Sequence, residues 1–125
     1  MTLEFVLHAH SGAGPAHYDL MLRQGQVLAT WQFQADPAAF AVGQSAPCRR
    51  IHDHRLHYLR HTGPIGGERG EVAMLDRGVY ELLSRDERCW RVRLAGGRLS
   101  GLYELRVEEE GEEAASWVLA RLEPV

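Results

Sequence analysis

The sequence contains no lysine, only two cysteines and no long hydrophobic run. No window approaches the roughly eighteen apolar residues that a membrane-spanning helix needs, so we expect no membrane association. Cys48 and Cys89 lie far apart and form no CxxC motif. The first four residues, MTLE, have neither the basic start nor the apolar stretch of a signal peptide. We therefore expect a cytoplasmic protein with reduced thiols.

Motifs of several enzyme classes are absent as well. There is no GxSxG element, and nothing indicates a serine or cysteine nucleophile. Residues 63–70 are rich in glycine but lack the Gly-Lys-Ser/Thr ending of a nucleotide-binding P-loop, so we expect a loop there. No long amphipathic pattern of helical period occurs, which argues against a helical fold.

The composition is that of an ordinary globular protein. The chain has 125 residues, of which 45% are hydrophobic and 25% charged, and we expect residues 1–125 to form a single domain. A net charge of -3 argues against a generally basic surface for nucleic acid. However, five of the seventeen acidic residues crowd around Gly111, where we expect a solvated hairpin loop. The remaining chain has 14 arginines against 12 acidic residues, so its charge balance permits a local positive site.

Short runs with alternating apolar and polar residues dominate the chain. They cover residues 3–10, 17–23, 27–33, 71–75, 78–84, 89–94, 102–108 and 116–122. Turns are expected between them, including one at Asp76-Arg77-Gly78. Asp36-Pro37 predicts one helical turn, because a capping side chain precedes a residue tolerated at the first helical position. The pattern predicts an all-β barrel or sandwich.

Seven histidines fall into two groups along the chain. In the first group, His17 and Asp19 share a strand face, since residues two apart lie about 6.6–6.8 Å from each other on the same side. If the strand ending at His10 pairs antiparallel with the one beginning at His17, His10 joins that face. Two imidazoles and a carboxylate form a triad with open positions, suited to manganese, iron or zinc. The other interpretation is that these are solvent-facing polar residues at a strand end.

The second group contains a His and Tyr pair. His54 and Tyr58 share a face whether their segment is a strand or a helical turn. Near a metal, the two side chains could bind an oxyanion and supply a proton to it.

The order of short motifs along the chain resembles that of the 3′-phosphoesterase domain of bacterial DNA ligase D, which also occurs as a free-standing protein. The resemblance extends over nearly the whole chain. The matching pieces are FVLHAH at 5–10, HYDL at 17–20, DHRLHY at 53–58, GPIGGERG at 63–70, LDRGVY at 75–80, GRLSG at 97–101 and WVL at 117–119.

This resemblance implies a compact antiparallel β-barrel of about eight strands with at most one or two short helical turns. It implies a manganese-dependent enzyme that removes a 3′ phosphate or a terminal 3′ ribonucleoside from DNA primer ends in repair. His10, His17 and Asp19 fall on the family's metal ligands, for which another divalent transition metal such as Zn²⁺ is the alternative to manganese. His54 and Tyr58 fall on residues around the scissile phosphate. The implied partners are nucleic-acid 3′ ends and a DNA ligase or end-joining machinery.

The family's pattern has an arginine two residues past the aspartate, where this chain has Met21. Arg23, on the same strand face, and Arg55, from another segment, are the residues expected to bind phosphate in its place. Arg69 is a further source of charge. The substitution leaves a second hypothesis open, in which the protein is a catalytically weakened module that binds metal and nucleic-acid ends.

A third hypothesis is a different metalloenzyme of the cupin type. In it, His8 and His10 would form a His-x-His metal-binding pair. The sequence has no suitably spaced glutamate after His10, which argues against this alternative.

Overall fold

A computed structural model describes residues 3–67, 69–111 and 114–123 of the chain. The described residues form nine antiparallel strands, and the eight alternating runs account for seven of them, because the runs at 71–75 and 78–84 belong to one strand. The strands are β1 (Glu4–Ser11), β2 (His17–Gln24), β3 (Val27–Phe33), β4 (Ser45–Arg55), β5 (Gly63–Pro64), β6 (Glu71–Arg85), β7 (Cys89–Gly96), β8 (Ser100–Glu109) and β9 (Ser116–Glu123).

Eight of these strands close into a barrel. The hydrogen-bonded order is β1-β2-β3-β4-β9-β8-β7-β6, and β1 also pairs with β6, so the sheet returns on itself. The two-residue β5 adds to β6 outside the closed ring. The predicted antiparallel barrel of about eight strands is therefore confirmed, and closure leaves its main strands without a free edge.

Two 3-10 turns are the helical elements of the described chain, as predicted. The first, Pro37–Ala39, begins where expected, and the Asp36 carboxylate accepts a hydrogen bond from the Ala38 backbone N–H at 2.9 Å. The second, Leu56–Leu59, follows β4 directly. Over the described ranges, no helix is both long and apolar enough to cross a membrane.

Alternation along the strands separates two apolar clusters. The barrel interior contains Phe5 and Leu7 with three tryptophans, and Trp31 meets Trp90 edge to face at a centroid distance of 5.0 Å. The intervening residues of the first strands face outward. There, a smaller cluster of Val6, Met21, Leu28 and Leu59 forms beneath the Leu56–Leu59 turn.

The predicted turn at Asp76-Arg77-Gly78 is wrong, because these residues lie inside the continuous strand β6. The Asp76 carboxylate instead accepts hydrogen bonds from the backbone N–H groups of residues 97, 98 and 99, which form the turn between β7 and β8. Gly78 is needed for a close approach, since a Cβ there would lie 2.1 Å from the Ala95 carbonyl oxygen. Aspartate and glycine are both typical of turns. Here Asp76 instead binds the turn after β7, and Gly78 allows the close approach of β7 itself.

The described residues include only part of two further predicted loops. Glu108 and Glu109 end β8, and Glu110 is exposed, whereas Glu112 and Glu113 of the predicted acidic loop lie outside the described residues. The glycine-rich segment 63–70 is a loop apart from β5, with Glu68 outside the described residues.

Candidate metal centre and adjoining cleft

The pairing of β1 with β2 brings the three predicted ligand residues together. His10 lies directly opposite His17, and Asp19 lies two residues further along the same outward face. His10 Nδ1 is 3.1 Å from His17 Nε2, and His17 Nε2 is 3.4 Å from Asp19 Oδ2. One ligand atom from each residue lies within 4.8 Å of the others, a spacing suited to a single ion.

A backbone carbonyl orients the His10 ring. His10 Nε2 lies 2.6 Å from the Arg69 carbonyl oxygen. A carbonyl only accepts hydrogen bonds, so Nε2 carries the proton and Nδ1 presents its lone pair on the side of His17. Such a contact behind a histidine ligand fixes both its tautomer and its direction.

Gly70 makes this contact possible. Its φ of +83° is in the left-handed region, and a Cβ there would lie 2.1 Å from the Ser11 carbonyl oxygen. The loop after β1 and the segment before β6 thus touch through their backbones. Sequence reasoning missed this role for Arg69 and Gly70, and the glycine-rich composition of 63–70 was the only signal that could have suggested it.

The site contains buried polar atoms that no described residue satisfies. Asp19 is 5% exposed and its Oδ1 has no hydrogen-bond partner, and the same holds for Nε2 of His8, which is 1% exposed. Burial raises the pKa of the Asp19 carboxyl, although the nearby His17 opposes this shift. A bound cation would compensate the buried carboxylate, so the residues present fit a divalent metal.

His8 belongs to the same outward face but not to the cluster with metal-ligand spacing. Burial is the main cause that lowers the pKa of His8 to about 4, and neighbouring histidines add to it. The ring is therefore neutral at pH 7. Within the described chain, the group with metal-ligand spacing consists of His10, His17 and Asp19, and it does not include the His8 that a His-x-His site would require.

A cleft of about 370 Å³ opens beside the triad, and several predicted site residues line it. These include His10, Asp19, His54, Arg55 and Tyr58. The His54 and Tyr58 rings lie 5.8 Å apart, in an edge-to-face arrangement. The end of β4 and the turn that follows it thus place His54 and Tyr58 beside the triad.

His54 has a defined hydrogen-bonding state. Its Nδ1 donates to the His52 carbonyl oxygen at 3.0 Å, which leaves Nε2 with a lone pair when the ring is neutral. Burial lowers the pKa of His54, and the hydrogen bond to the His52 carbonyl and the Asp19 carboxylate only partly offset this effect. At neutral pH, His54 can therefore accept a proton at Nε2.

The structure separates the two arginines that the sequence analysis expected to bind phosphate. Arg55 lines the cleft, together with Arg69. Arg23 lies near the far end of β2, where its Nε donates to the Gly25 carbonyl at 3.1 Å. Met21 lines the cleft but is 1% exposed, packed in the outer apolar cluster. Arg55 is thus the one of the two expected arginines that reaches the cleft.

One comparison with known proteins bears on this arrangement. The family model of the DNA Ligase D 3′-phosphoesterase domain matches residues 7–107. The matched range contains the triad, the His54 and Tyr58 pair, and all the cleft residues named above. No curated protein matches the chain.

Proposed function

Since the chain belongs to the DNA ligase D 3′-phosphoesterase domain family, we propose that it is a single-domain, metal-dependent enzyme that heals 3′ ends in DNA repair. Its reactions would be the removal of a 3′ phosphate or of a terminal 3′ ribonucleoside. The observation that carries this proposal is the convergence of His10, His17 and the buried Asp19 beside a cleft that contains His54 and Tyr58.

His10 through Nδ1, His17 through Nε2 and Asp19 through a carboxylate oxygen would hold the ion. This donor set is compatible with Mn²⁺, which we propose as the ion, and also with Zn²⁺. A divalent ion bound there supplies Lewis-acid polarisation of a phosphoryl oxygen.

The chain's own side chains can carry the proton transfers. In phosphate hydrolysis, water adds to phosphorus and the bond from phosphorus to the 3′ oxygen breaks. Nε2 of the neutral His54 can take the proton of the attacking water. The Tyr58 hydroxyl can give a proton to the departing 3′ oxygen, and Arg55 and Arg69 attract the phosphate charge.

Nucleic-acid 3′ ends are the proposed substrate, and a DNA ligase or end-joining machinery is the proposed partner. The protein would then act in the cytoplasm. Arg55 and Arg69 supply the local positive charge that a protein with a net charge of -3 needs to hold a nucleic-acid end.

One observation favours a second candidate function. Met21 brings no charge to the cleft, and it is fully packed against Val6, Leu28 and Leu59. The second candidate is therefore a catalytically weakened module that binds a metal and a nucleic-acid end. In that case, Met21→Arg should raise phosphatase activity, and no gain would count against a defect at this position.

The test is a trimming assay on a 5′-labelled primer–template with either a 3′ phosphate or a terminal 3′ ribonucleotide. We expect manganese-dependent trimming by the protein and none by His17→Ala. Arg55→Ala and Arg23→Ala form a matched pair, for which we expect the larger loss in Arg55→Ala because only Arg55 lines the cleft. An inactive protein that still binds manganese would support the binding module instead.

A further inference from the structure

A second, smaller pocket adjoins the cleft and has a different character. Its volume is about 180 Å³, and it shares Arg55, Tyr58, Ile65 and Arg69 with the cleft. The remaining wall includes His57 and His61, from the turn after β4 and the segment behind it. The two spaces therefore adjoin across these shared residues.

Three aromatic rings line this pocket. The centroids of His57 and Tyr58 are 4.0 Å apart, and His61 lies 5.8 Å from Tyr58 and 5.9 Å from His57. His61 Nε2 donates to the Pro64 carbonyl at 3.1 Å, which holds its ring against the loop. His57 is exposed, so one ring is available to a ligand from solvent.

The combination of groups suits the stacking of a nucleobase. Flat aromatic rings and arginine guanidinium planes are the surfaces on which nucleobases stack. Pro64 and Ile65 add apolar surface for the face of a base, beside the two arginines. A base-binding space therefore lies directly beside the proposed phosphate site.

We propose that this pocket binds an unpaired nucleobase, namely that of the nucleotide whose 3′ phosphate lies in the cleft. The inference rests on the proposed function and specifies its substrate as a frayed or single-stranded 3′ end. A base inside the pocket has left its pairing partner, and this costs least where the end is already unpaired.

The test uses single-stranded DNA with a 3′ phosphate and 2-aminopurine as the terminal base, whose fluorescence falls on stacking. In the presence of Mn²⁺, we expect the protein to quench this fluorescence, and we expect His57→Ala to weaken binding about 10-fold. His57→Phe keeps a ring and should bind within about 2-fold of the original protein. Leu83→Ala, which truncates an exposed side chain on β6, is the control for an unrelated surface change.

An otherwise identical oligonucleotide with an abasic terminal nucleotide completes the design. Because this oligonucleotide lacks the fluorescent base, its binding is measured by competition with the 2-aminopurine oligonucleotide. The original protein should bind it about 10-fold more weakly than the base-bearing one, and His57→Ala should bind both equally. Equal binding of both oligonucleotides by the original protein would overturn the pocket assignment. The assignment would also be overturned if His57→Ala weakened the binding of both oligonucleotides by the same factor, because that result indicates a structural role for His57.

The trimming assay on the same two oligonucleotides separates this inference from the proposed function. Equal trimming of base-bearing and abasic ends would leave the function intact and refute the pocket. No trimming of either single-stranded end, with the primer–template of the first assay still trimmed, would refute the inferred substrate and leave the function intact. No trimming of any of these substrates would refute the function, while the fluorescence titration still decides whether the pocket binds a base.

Discussion

Gly70→Ala should disturb the metal centre without changing any ligand. The added Cβ would lie 2.1 Å from the Ser11 carbonyl oxygen, against a closest usual approach of 3.0 Å. The two backbone segments must therefore separate by about 1 Å, since backbone cannot rotate away as a side chain does. A shift of that size in the adjacent Arg69 carbonyl would take its 2.6 Å contact with His10 out of hydrogen-bond range.

The expected consequence is a loss of metal affinity. Removing a group that orients a histidine ligand typically costs 10- to 100-fold in affinity, so we expect Mn²⁺ binding at least about 10-fold weaker in Gly70→Ala. The left-handed backbone conformation adds about 1–2 kcal/mol of destabilisation for any residue with a Cβ.

Gly14→Ala is the matched control, because Gly14 has a φ of +84° and no atom within 4 Å of the added Cβ. It should lose the same 1–2 kcal/mol of unfolding free energy but bind Mn²⁺ within about 2-fold of the original protein. Urea unfolding in a chelator and calorimetric Mn²⁺ titration measure the two effects. Equal Mn²⁺ affinity in the two variants would refute the role assigned to the Arg69 carbonyl.

Two further predictions concern buried ionisable groups. Burial lowers the pKa of His8 from its ordinary value of 6.5 to about 4 in the folded state. Between these two pH values the unfolded chain binds a proton at His8 and the folded chain does not. His8 therefore contributes its full stability above pH 6.5 and loses it as the pH falls toward 4. Between pH 8 and 5 this amounts to roughly 2 kcal/mol, which His8→Gln should abolish in urea unfolding without metal; an unchanged pH dependence would contradict the assignment. Asp76→Ala should cost about 3 kcal/mol of unfolding free energy, because three backbone N–H groups of the β7–β8 turn, of which that of Leu99 is buried, lose their charged acceptor. Asp86→Ala, which removes two hydrogen bonds in an exposed turn, should cost about 1 kcal/mol, and equal losses would show that burial of the Asp76 contacts is unimportant.

Features that depend on neighbouring residues could be predicted from the sequence. Seven of the nine strands follow from their period of two, and the cap at Asp36 follows from the residues beside it. The shared face of His17 and Asp19 is likewise a property of a single strand, and pairing across the short loop after β1 brings in His10. The family was also evident in the order of the motifs, and the match over residues 7–107 confirms it.

Contacts between distant segments were decided by the tertiary structure alone. Asp76 has the local sequence of a turn residue. Three of its four hydrogen-bonding partners lie beyond the next strand, so the local sequence could not reveal them. Arg23 and Arg55 were equivalent candidates until strand register placed only Arg55 at the cleft. The Arg69 carbonyl reaches His10 across 59 residues only because β1 pairs with β6 and closes the barrel. Periodicity specifies which side a residue faces, whereas closure and register decide what it meets there.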